Sequence, residues 1–375
     1  RVAAEAVNEN HSVWEARATE SLLCLARVRG PAKKIIVSTV TPTGHAIMRQ
    51  LVKGDETVIY APLDISWVVR IFLRRIRPQV LVILETELWP NLIRLTKAYG
   101  SQVVIVNGRI SDRSLRRYER LKRFLKPMLD QVDLFCMQTE ESAGRIISLG
   151  AACARVQMTG NIKFDITASV RAPAFLGRLQ EAVKGRFFWV AGSTHENEEE
   201  MLLRAYKSLR KDCPSLRLLI APRHLARVDK IRRLGRVNGL DSVLVSRSGS
   251  LIAQAVMILD TIGDLNAVYT LADAVFVGGS LVKKGGHKPI EPALCGKPIL
   301  FGPHMENFRE IRDIFMKEKA AIEVSGPGAL EYELRRLIAD PDVRGALGTV
   351  ARSLIDKNRG AAGRSFEALE KLLQP

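Results

Sequence analysis

Apolar residues in this chain fall into short continuous runs, separated by longer stretches in which they recur at helical spacing. A short apolar run bounded by turn residues reads as a strand buried on both faces of a parallel sheet, and the amphipathic stretches read as crossover helices. In the first half the runs predict strands at residues 35–39, 58–61, 80–84, 103–106, 134–137 and 156–159. Helices are expected between them, among them a basic one over 67–76, a long basic region over 114–129 and one over 140–148. A helix is also expected from about Trp14, with Ser12 as its cap and Glu15 in its first turn.

Residues 166–185 break the pattern with Pro173, Gly177 and Gly185, and read as a linker. The same grammar then resumes, with strands at 187–191, 216–220, 243–245, 256–259, 274–277, 299–301 and 321–324, and a helical tail over 341–373. Strand and helix alternating in this way predict an α/β chain of two doubly wound, Rossmann-like domains, residues 1–165 and 186–375. A length of 375 residues agrees with two domains. Such domains in succession are expected to face a ligand cleft with their strand ends.

Composition adds one strong signal. The net charge is +17, carried by clusters such as Arg70, Arg74, Arg75 and Arg77 on one predicted helix and Arg116, Arg117, Arg120, Lys122 and Arg123 on another. Such a surface attracts anions: nucleic acid, an anionic membrane or a phosphorylated substrate. Aromatics are only 6% and no RNA- or DNA-binding motif is present, so no nucleic acid is expected as a partner. No run of apolar residues is long enough to span a bilayer. The five cysteines form no C-x-x-C pair, which argues against a zinc site and fits a reducing compartment. A first residue of Arg1 instead of Met suggests an absent amino-terminal piece.

The candidate chemistry sits where predicted strands end. Gly278-Gly279-Ser280 follows one strand, Gly285-Gly286-His287 comes shortly after, and Glu291 falls on the first turn of a helix. Glycines admit a close phosphate and helix starts favour negative charge, although such turns also serve as plain connections. Glu85 and Glu87 end the 80–84 strand, where alternation would project both to one side. Pro222-Arg223 offers a forked phosphate ligand, and Lys163 follows Thr159-Gly160-Asn161. Gly192-Ser193-Thr194-His195 runs into Glu196, Glu198, Glu199 and Glu200, a pattern that a helix cap with acids in its first turn explains. No third acid joins Glu85 and Glu87, so no metal site is expected. A Walker A lysine, a G-x-G-x-x-G after the first strand and a G-x-S-x-G elbow are all missing, which lowers NTP hydrolysis, dinucleotide redox chemistry and serine hydrolysis.

Taken together, Glu85-Thr86-Glu87-Leu88-Trp89-Pro90-Asn91-Leu92, Thr41-Pro42-Thr43-Gly44, the Thr159 to Asp165 block Thr-Gly-Asn-Ile-Lys-Phe-Asp, Ala221-Pro222-Arg223-His224, Gly278-Gly279-Ser280, Gly285-Gly286-His287, Glu291-Pro292 and Phe301-Gly302-Pro303-His304 resemble the bacterial 3-deoxy-D-manno-octulosonic acid (Kdo) transferases of lipopolysaccharide synthesis. The blocks come in the family's order and cover nearly the whole chain. The resemblance implies a GT-B glycosyltransferase, with CMP-Kdo as donor and a phosphorylated lipid A precursor as acceptor. It implies work at the cytoplasmic face of the inner membrane, against an anionic membrane surface, with no cofactor beyond the donor. Transfer would be inverting, which agrees with Lys283 at a position where retaining GT-B enzymes often carry a second glutamate.

The family base is the glutamate of S-V-G-E, and the matching stretch is Ser12-Val13-Trp14-Glu15, so Glu15 would be the base. Glu85 and Lys163 would stabilise the transition state or position the acceptor. Pro222, Arg223, Gly263, Asp264, Leu265 and the Lys288, Pro289, Ile290, Glu291 segment would bind CMP, Glu291 clamping the ribose hydroxyls. Trp14 stands where the family has glycine and Lys288 where it has asparagine. The family's first apolar strand, and the anchoring segment before it, are not recognisable in residues 1–10. Two other readings stay open: transfer of a different nucleotide-linked sugar to a lipid, and a basic binding protein without turnover.

Overall fold

The valine- and isoleucine-rich runs pair side by side as parallel strands in the computed structural model, which describes residues 2–6, 23, 25, 27, 34–165, 172–247 and 256–373; all counts below are of these residues. They belong to two units, residues 1–167 with 358–375, and residues 168–357.

In the first unit seven parallel strands stand in the order β3-β2-β1-β4-β5-β6-β7. They are β1 (Val2–Ala6), β2 (Ile35–Thr39), β3 (Thr57–Tyr60), β4 (Val80–Leu84), β5 (Gln102–Gly108), β6 (Leu134–Met137) and β7 (Val156–Met158). β1 is a correction to the sequence reading, which recognised no strand in residues 1–10. It lies inside the sheet, parallel to β2 on one side and β4 on the other. Val-Ala-Ala-Glu-Ala has little strand propensity of its own, and pairing on both edges makes it a strand. Trp14 and Glu15 lie outside the described residues. The sheet reverses its winding between β1 and β4, the place where ligands bind beyond the strands' carboxyl ends.

Alternation along β4, β5 and β6 splits the core in two. Leu81, Ile83, Val103, Ile105, Phe135 and Met137 pack on one face beneath α2 (Ser66–Ile76), α3 (Pro90–Ala98) and α6 (Glu140–Ser148). Val80, Val82, Leu84, Val104, Val106, Leu134 and Cys136 pack on the other, against Ala361, Ala362, Ala368 and Leu369 of the last helix. The expected basic helix over 114–129 is two helices, α4 (Asp112–Arg120) and α5 (Lys122–Leu129), broken at Leu121.

That last helix, Ala361–Leu373, corrects the domain boundaries. The tail was expected to finish the second domain, yet from residue 358 it belongs to the first. The reason is the apolar face of β4–β6, which this helix covers with Ala361, Ala362, Ala368 and Leu369. Asp165 fixes its start, accepting the N–H groups of Gly360 and Ala362, each at 2.5 Å. Arg364 Nε donates to the Thr159 carbonyl at 2.8 Å, and Ser365 Oγ to Thr159 Oγ1 at 2.9 Å. Asp165→Ala is expected to cost about 1–2 kcal/mol of stability, the range for losing a helix cap; a urea melt indistinguishable from the parent's would refute this role.

The second unit repeats the plan. Its strands are β8 (Phe188–Thr194), β9 (Arg217–Pro222), β10 (Ser242–Leu244), β11 (Val256–Ile258), β12 (Ala274–Val277), β13 (Ile299–Phe301) and β14 (Ile322–Glu323), in the order β10-β11-β9-β8-β12-β13-β14. Here the winding reverses between β8 and β12. Trp189, Leu218, Ile220, Phe276 and Leu300 form the core with Leu202, Leu203 and Tyr206 of one helix (Glu198–Leu209) and Leu330, Leu334 and Leu337 of another (Pro327–Ala339). Much of the expected linker is a helix, Leu176–Val183, whose buried Leu179, Ala182 and Val183 tie it to this unit.

Candidate active site

At the first unit's reversal point the chain turns sharply. β4 stops at Leu84, and Glu85 takes a left-handed φ of 60°. A side chain there carries a strain of order 1 kcal/mol, held only by its surroundings. The Glu85 N–H still donates to Val106 O at 2.8 Å, and the Arg109 N–H donates to Thr86 Oγ1 at 2.8 Å, so the turn is tied to the end of β5. The strand does not continue through Glu87, so alternation places no pair of carboxylates here; this corrects the sequence expectation. What Glu85 meets instead is Lys163, whose Nζ donates to Oε1 at 2.7 Å.

Lys163 is 8% exposed, and a buried ammonium needs a compensating charge. Its loop is held by buried amides. Asn161 Oδ1 accepts the Lys163 N–H at 2.9 Å, and Asn161 Nδ2 donates to Gln138 Oε1 at 3.0 Å. Asn107 Oδ1 accepts the Ile162 N–H at 3.1 Å, and Gln138 Nε2 donates to the Asn107 carbonyl at 2.8 Å. Asn107 and Gln138 were missed in the sequence. Their only signal was position, just past or at the end of a predicted strand. Together these groups offer a fixed cation with its carboxylate partner, suited to hold an anion or to offset charge that develops nearby.

In the second unit the Gly278-Gly279-Ser280 turn departs from expectation. Its amides face no open phosphate cradle. Glu198, fully buried, fills that place: its carboxylate accepts the N–H groups of Gly279 at 2.8 Å, Ser280 at 3.1 Å, Leu281 at 3.0 Å and His195 at 3.2 Å. Burial pushes this carboxyl up, against the pull of the four donors. Its neighbour Glu199, also buried, binds Arg227 Nη2 at 2.5 Å. The acids of this helix start therefore do more than cap it; they knit the ends of β8, β9 and β12 together.

Histidines converge above this knot. His195 Nε2 lies 2.8 Å from His287 Nε2, with the rings stacked at 5.1 Å, and His224 meets His195 edge-on at 5.9 Å. Gly279, at φ 69°, leaves the room: a side chain there would meet both His287 and His195 at 3.1–3.2 Å. Burial first, then the charges of His224, Lys284, Arg223 and Arg227, hold His195 down at about 4. Burial, then His195, Arg223, His224 and Lys288, hold His287 at about 3. Both lie below the ordinary 6.5, so the unfolded chain binds protons more readily. Their contribution to stability is whole above pH 6.5 and is lost as pH falls toward 4.

The remaining expected donor residues occupy loops at the same strand ends. Pro222 closes β9, and the exposed Arg223 donates its N–H to Thr194 O at 2.9 Å. Gly263 takes φ 92°, Asp264 stands just before the short helix Leu265–Tyr269, and Leu265 opens it. Pro289 and Ile290 are buried at the start of the helix Ile290–Leu294, and Glu291 falls in its first turn as expected. Lys288 Nζ donates to Glu291 Oε1 at 3.2 Å, so the residue expected to touch nucleotide also holds the expected ribose clamp. No metal-binding group of His, Cys, Asp or Glu is present among the described residues.

Residues 10–166 match the family 3-Deoxy-D-manno-octulosonic-acid transferase (kdotransferase). The 3-deoxy-D-manno-octulosonic acid transferase of Haemophilus influenzae is 32% identical over 366 residues, covering 97% of this chain and 86% of that protein. The enzyme of the same name from Bordetella pertussis is 31% identical over 373 residues, covering 96% and 86%. Among solved structures, a UDP-GlcNAc 2-epimerase from Neisseria meningitidis covers 99% of both chains with a TM-score of 0.64 and 13% identity, a likeness of fold alone. Two Rossmann-like domains of this kind are the GT-B architecture. With relatives aligned over almost all of its length, the chain belongs to the 3-deoxy-D-manno-octulosonic acid transferase family of glycosyltransferases.

Proposed function

We propose that this enzyme moves Kdo from CMP-Kdo to a phosphorylated lipid A precursor at the cytoplasmic face of a bacterial inner membrane. The observation that carries the reading is the buried Lys163–Glu85 pair at the first unit's reversal point, in a chain of this family. The first unit would serve the acceptor and the second the donor. Glu15 would take the proton of the acceptor hydroxyl as its oxygen attacks the anomeric carbon. The bond from that carbon to the phosphate oxygen breaks, and CMP leaves with the bonding pair. Lys163, steadied by Glu85, would offset the negative charge of the Kdo carboxylate or the acceptor. Arg223, the Gly263-Asp264-Leu265 turn and the Lys288 to Glu291 segment would hold CMP. CMP carries a single phosphate, so charge neutralisation by side chains suffices without a metal.

The surface of the first unit supports a membrane partner. Leu63, Ile65, Trp67 and Ile71 are exposed, Trp67 at 63%, beside Arg70, Arg74, Arg75 and Arg77. Apolar wedges among basic residues suit an anionic bilayer, each Lys or Arg adding about 1 kcal/mol near the surface. No helix among the described residues is long and apolar enough to cross a membrane.

The test is product mass after incubation with CMP-Kdo and a tetra-acylated lipid A precursor. A gain of one or more Kdo units is expected; no product with CMP-Kdo, but product with a UDP-sugar, would replace the reading with another donor. Trp67→Glu is expected to lower sedimentation with vesicles containing phosphatidylglycerol while leaving melting temperature unchanged. Equal sedimentation of variant and parent would remove this face from the account.

A further inference from the structure

The histidine cluster of the second unit has a chemistry that the transfer reaction does not by itself require. His195 and His287 share one Nε2···Nε2 hydrogen bond of 2.8 Å. Such a bond needs a proton on one nitrogen and a lone pair on the other, so the resting pair is one Nε2–H ring and one Nδ1–H ring. The pair can accept a single further proton without breaking. It adds to the free Nδ1 of the Nε2–H ring, giving an imidazolium that still donates to its neighbour. A second proton would set two N–H groups head to head.

The surroundings are cationic, and two of the cations have no acidic partner among the described residues. Arg223, His224, Arg227, Lys284 and Lys288 face the pair. Of these, Arg227 is bound to Glu199 and Glu196, and Lys288 to Glu291. Among the described residues neither Arg223 nor Lys284 has an acidic partner. Glu198, the carboxylate that accepts the His195 backbone N–H, is already enclosed by four backbone N–H groups. These groups come from the ends of β8, β9 and β12, at the unit's reversal point, where such sheets bind ligands. Unpaired cations around an uncharged imidazole pair make a receptor for an anion. Until one arrives, the cations repel the extra proton; afterwards they no longer do.

We propose that the His195–His287 pair, flanked by Arg223, His224 and Lys284, receives the phosphate of the nucleotide donor and takes up one proton from solvent as it does so. The inference rests on the donor-binding role proposed above for this unit. It adds that donor affinity is linked to pH through a group that the acceptor chemistry never touches. A phosphodiester donor brings one negative charge, and the proton taken up offsets it.

The experiment is calorimetric titration of the whole chain with the methyl ester of CMP, a phosphodiester that does not titrate near neutrality. It is run at pH 7 in two buffers of different ionisation enthalpy, neither of them phosphate. The expected result is uptake of up to about one proton per ligand bound, with affinity improving by up to about tenfold per pH unit on acidification. Cytidine, which lacks the phosphate, should bind without uptake. His195→Asn and His287→Asn should each abolish the uptake, their folding checked by melting. Binding of the ester by the parent with no proton exchanged overturns the proposal, and needs no variant. Equal uptake with cytidine, or uptake unchanged in both folded variants, overturns it too. Kdo transfer without proton uptake would defeat this inference alone. Uptake without transfer would defeat the proposed function and leave this site standing.

Discussion

Lys163→Ala is expected to lower kcat/KM for Kdo transfer by about 10²–10³-fold, the effect of removing one preorganised charge-stabilising group. The argument is geometric. Lys163 is 8% exposed and reaches Glu85 at 2.7 Å, and the loop beneath it is fixed by Asn107, Gln138 and Asn161. A cation so placed needs no reorganisation when charge develops nearby, which is what makes it worth more than a lysine on the surface. Alanine would also take the Lys163 ion pair away from the Glu85 carboxylate, itself held in a left-handed turn. Lys163→Arg keeps the charge but puts a bulkier, planar guanidinium where a compact ammonium fits, so it should recover only part of the rate. Glu85→Gln should lower the rate as well, and its effect should not add to that of Lys163→Ala, since the two side chains act as one unit. Steady-state rates on variants whose melting matches the parent decide this. A Lys163→Ala enzyme within about threefold of the parent would sink the assignment.

Glu198→Ala is expected to destabilise the second unit by about 3–5 kcal/mol, from several buried N–H groups left without an acceptor at about 1–3 kcal/mol each. For a unit of this size that is a fall of about 6–20 °C in Tm. The same change should weaken CMP binding, because the Gly278-Gly279-Ser280 turn positions the His195–His287 pair through Gly279. Glu198→Gln keeps the volume but turns an NH₂ group toward those donors, so it should lose a substantial part of the same stability. The readout is thermal and urea unfolding, with CMP binding on whatever folds. A loss below about 1 kcal/mol for Glu198→Ala would mean that the amides find other acceptors, and that the carboxylate is not what holds the turn.

The strands were legible because a buried parallel strand writes itself as an unbroken apolar run. β2, β4, β6, β12 and β13 have the bounds that the runs predict. β1 was not legible, since Val-Ala-Ala-Glu-Ala is strand only by virtue of its two neighbours. The ownership of the last helix could not be read either. An amphipathic tail shows that it has an apolar face but not which sheet lacks a cover. In the site, Lys163 and Glu85 could be singled out, but not the bond between them, which joins residues 78 positions apart. Glu198 was absorbed into an acidic first turn because sequence shows a carboxylate near a helix start and not the amides of a distant loop. The histidines did carry a signal that was not combined. His195, His224 and His287 each stand shortly after a predicted strand, and strand ends in one sheet come together.

The last helix also sets an order of assembly. Residues that cover β4, β5 and β6 are made well after those strands, when the whole of residues 168–357 has already been synthesised. The usual sequence, in which the amino-terminal domain finishes first as the chain emerges, cannot apply in full. A growing chain carries one apolar sheet face and the unclamped Thr159–Lys163 loop until residues 361–373 are made. The second unit, contiguous in sequence, can close while the first is still waiting. Residues near Lys163 are thus set in place by a helix made after the whole of the second unit, and a chain stopped before residue 358 would yield a folded second unit joined to an unfinished first.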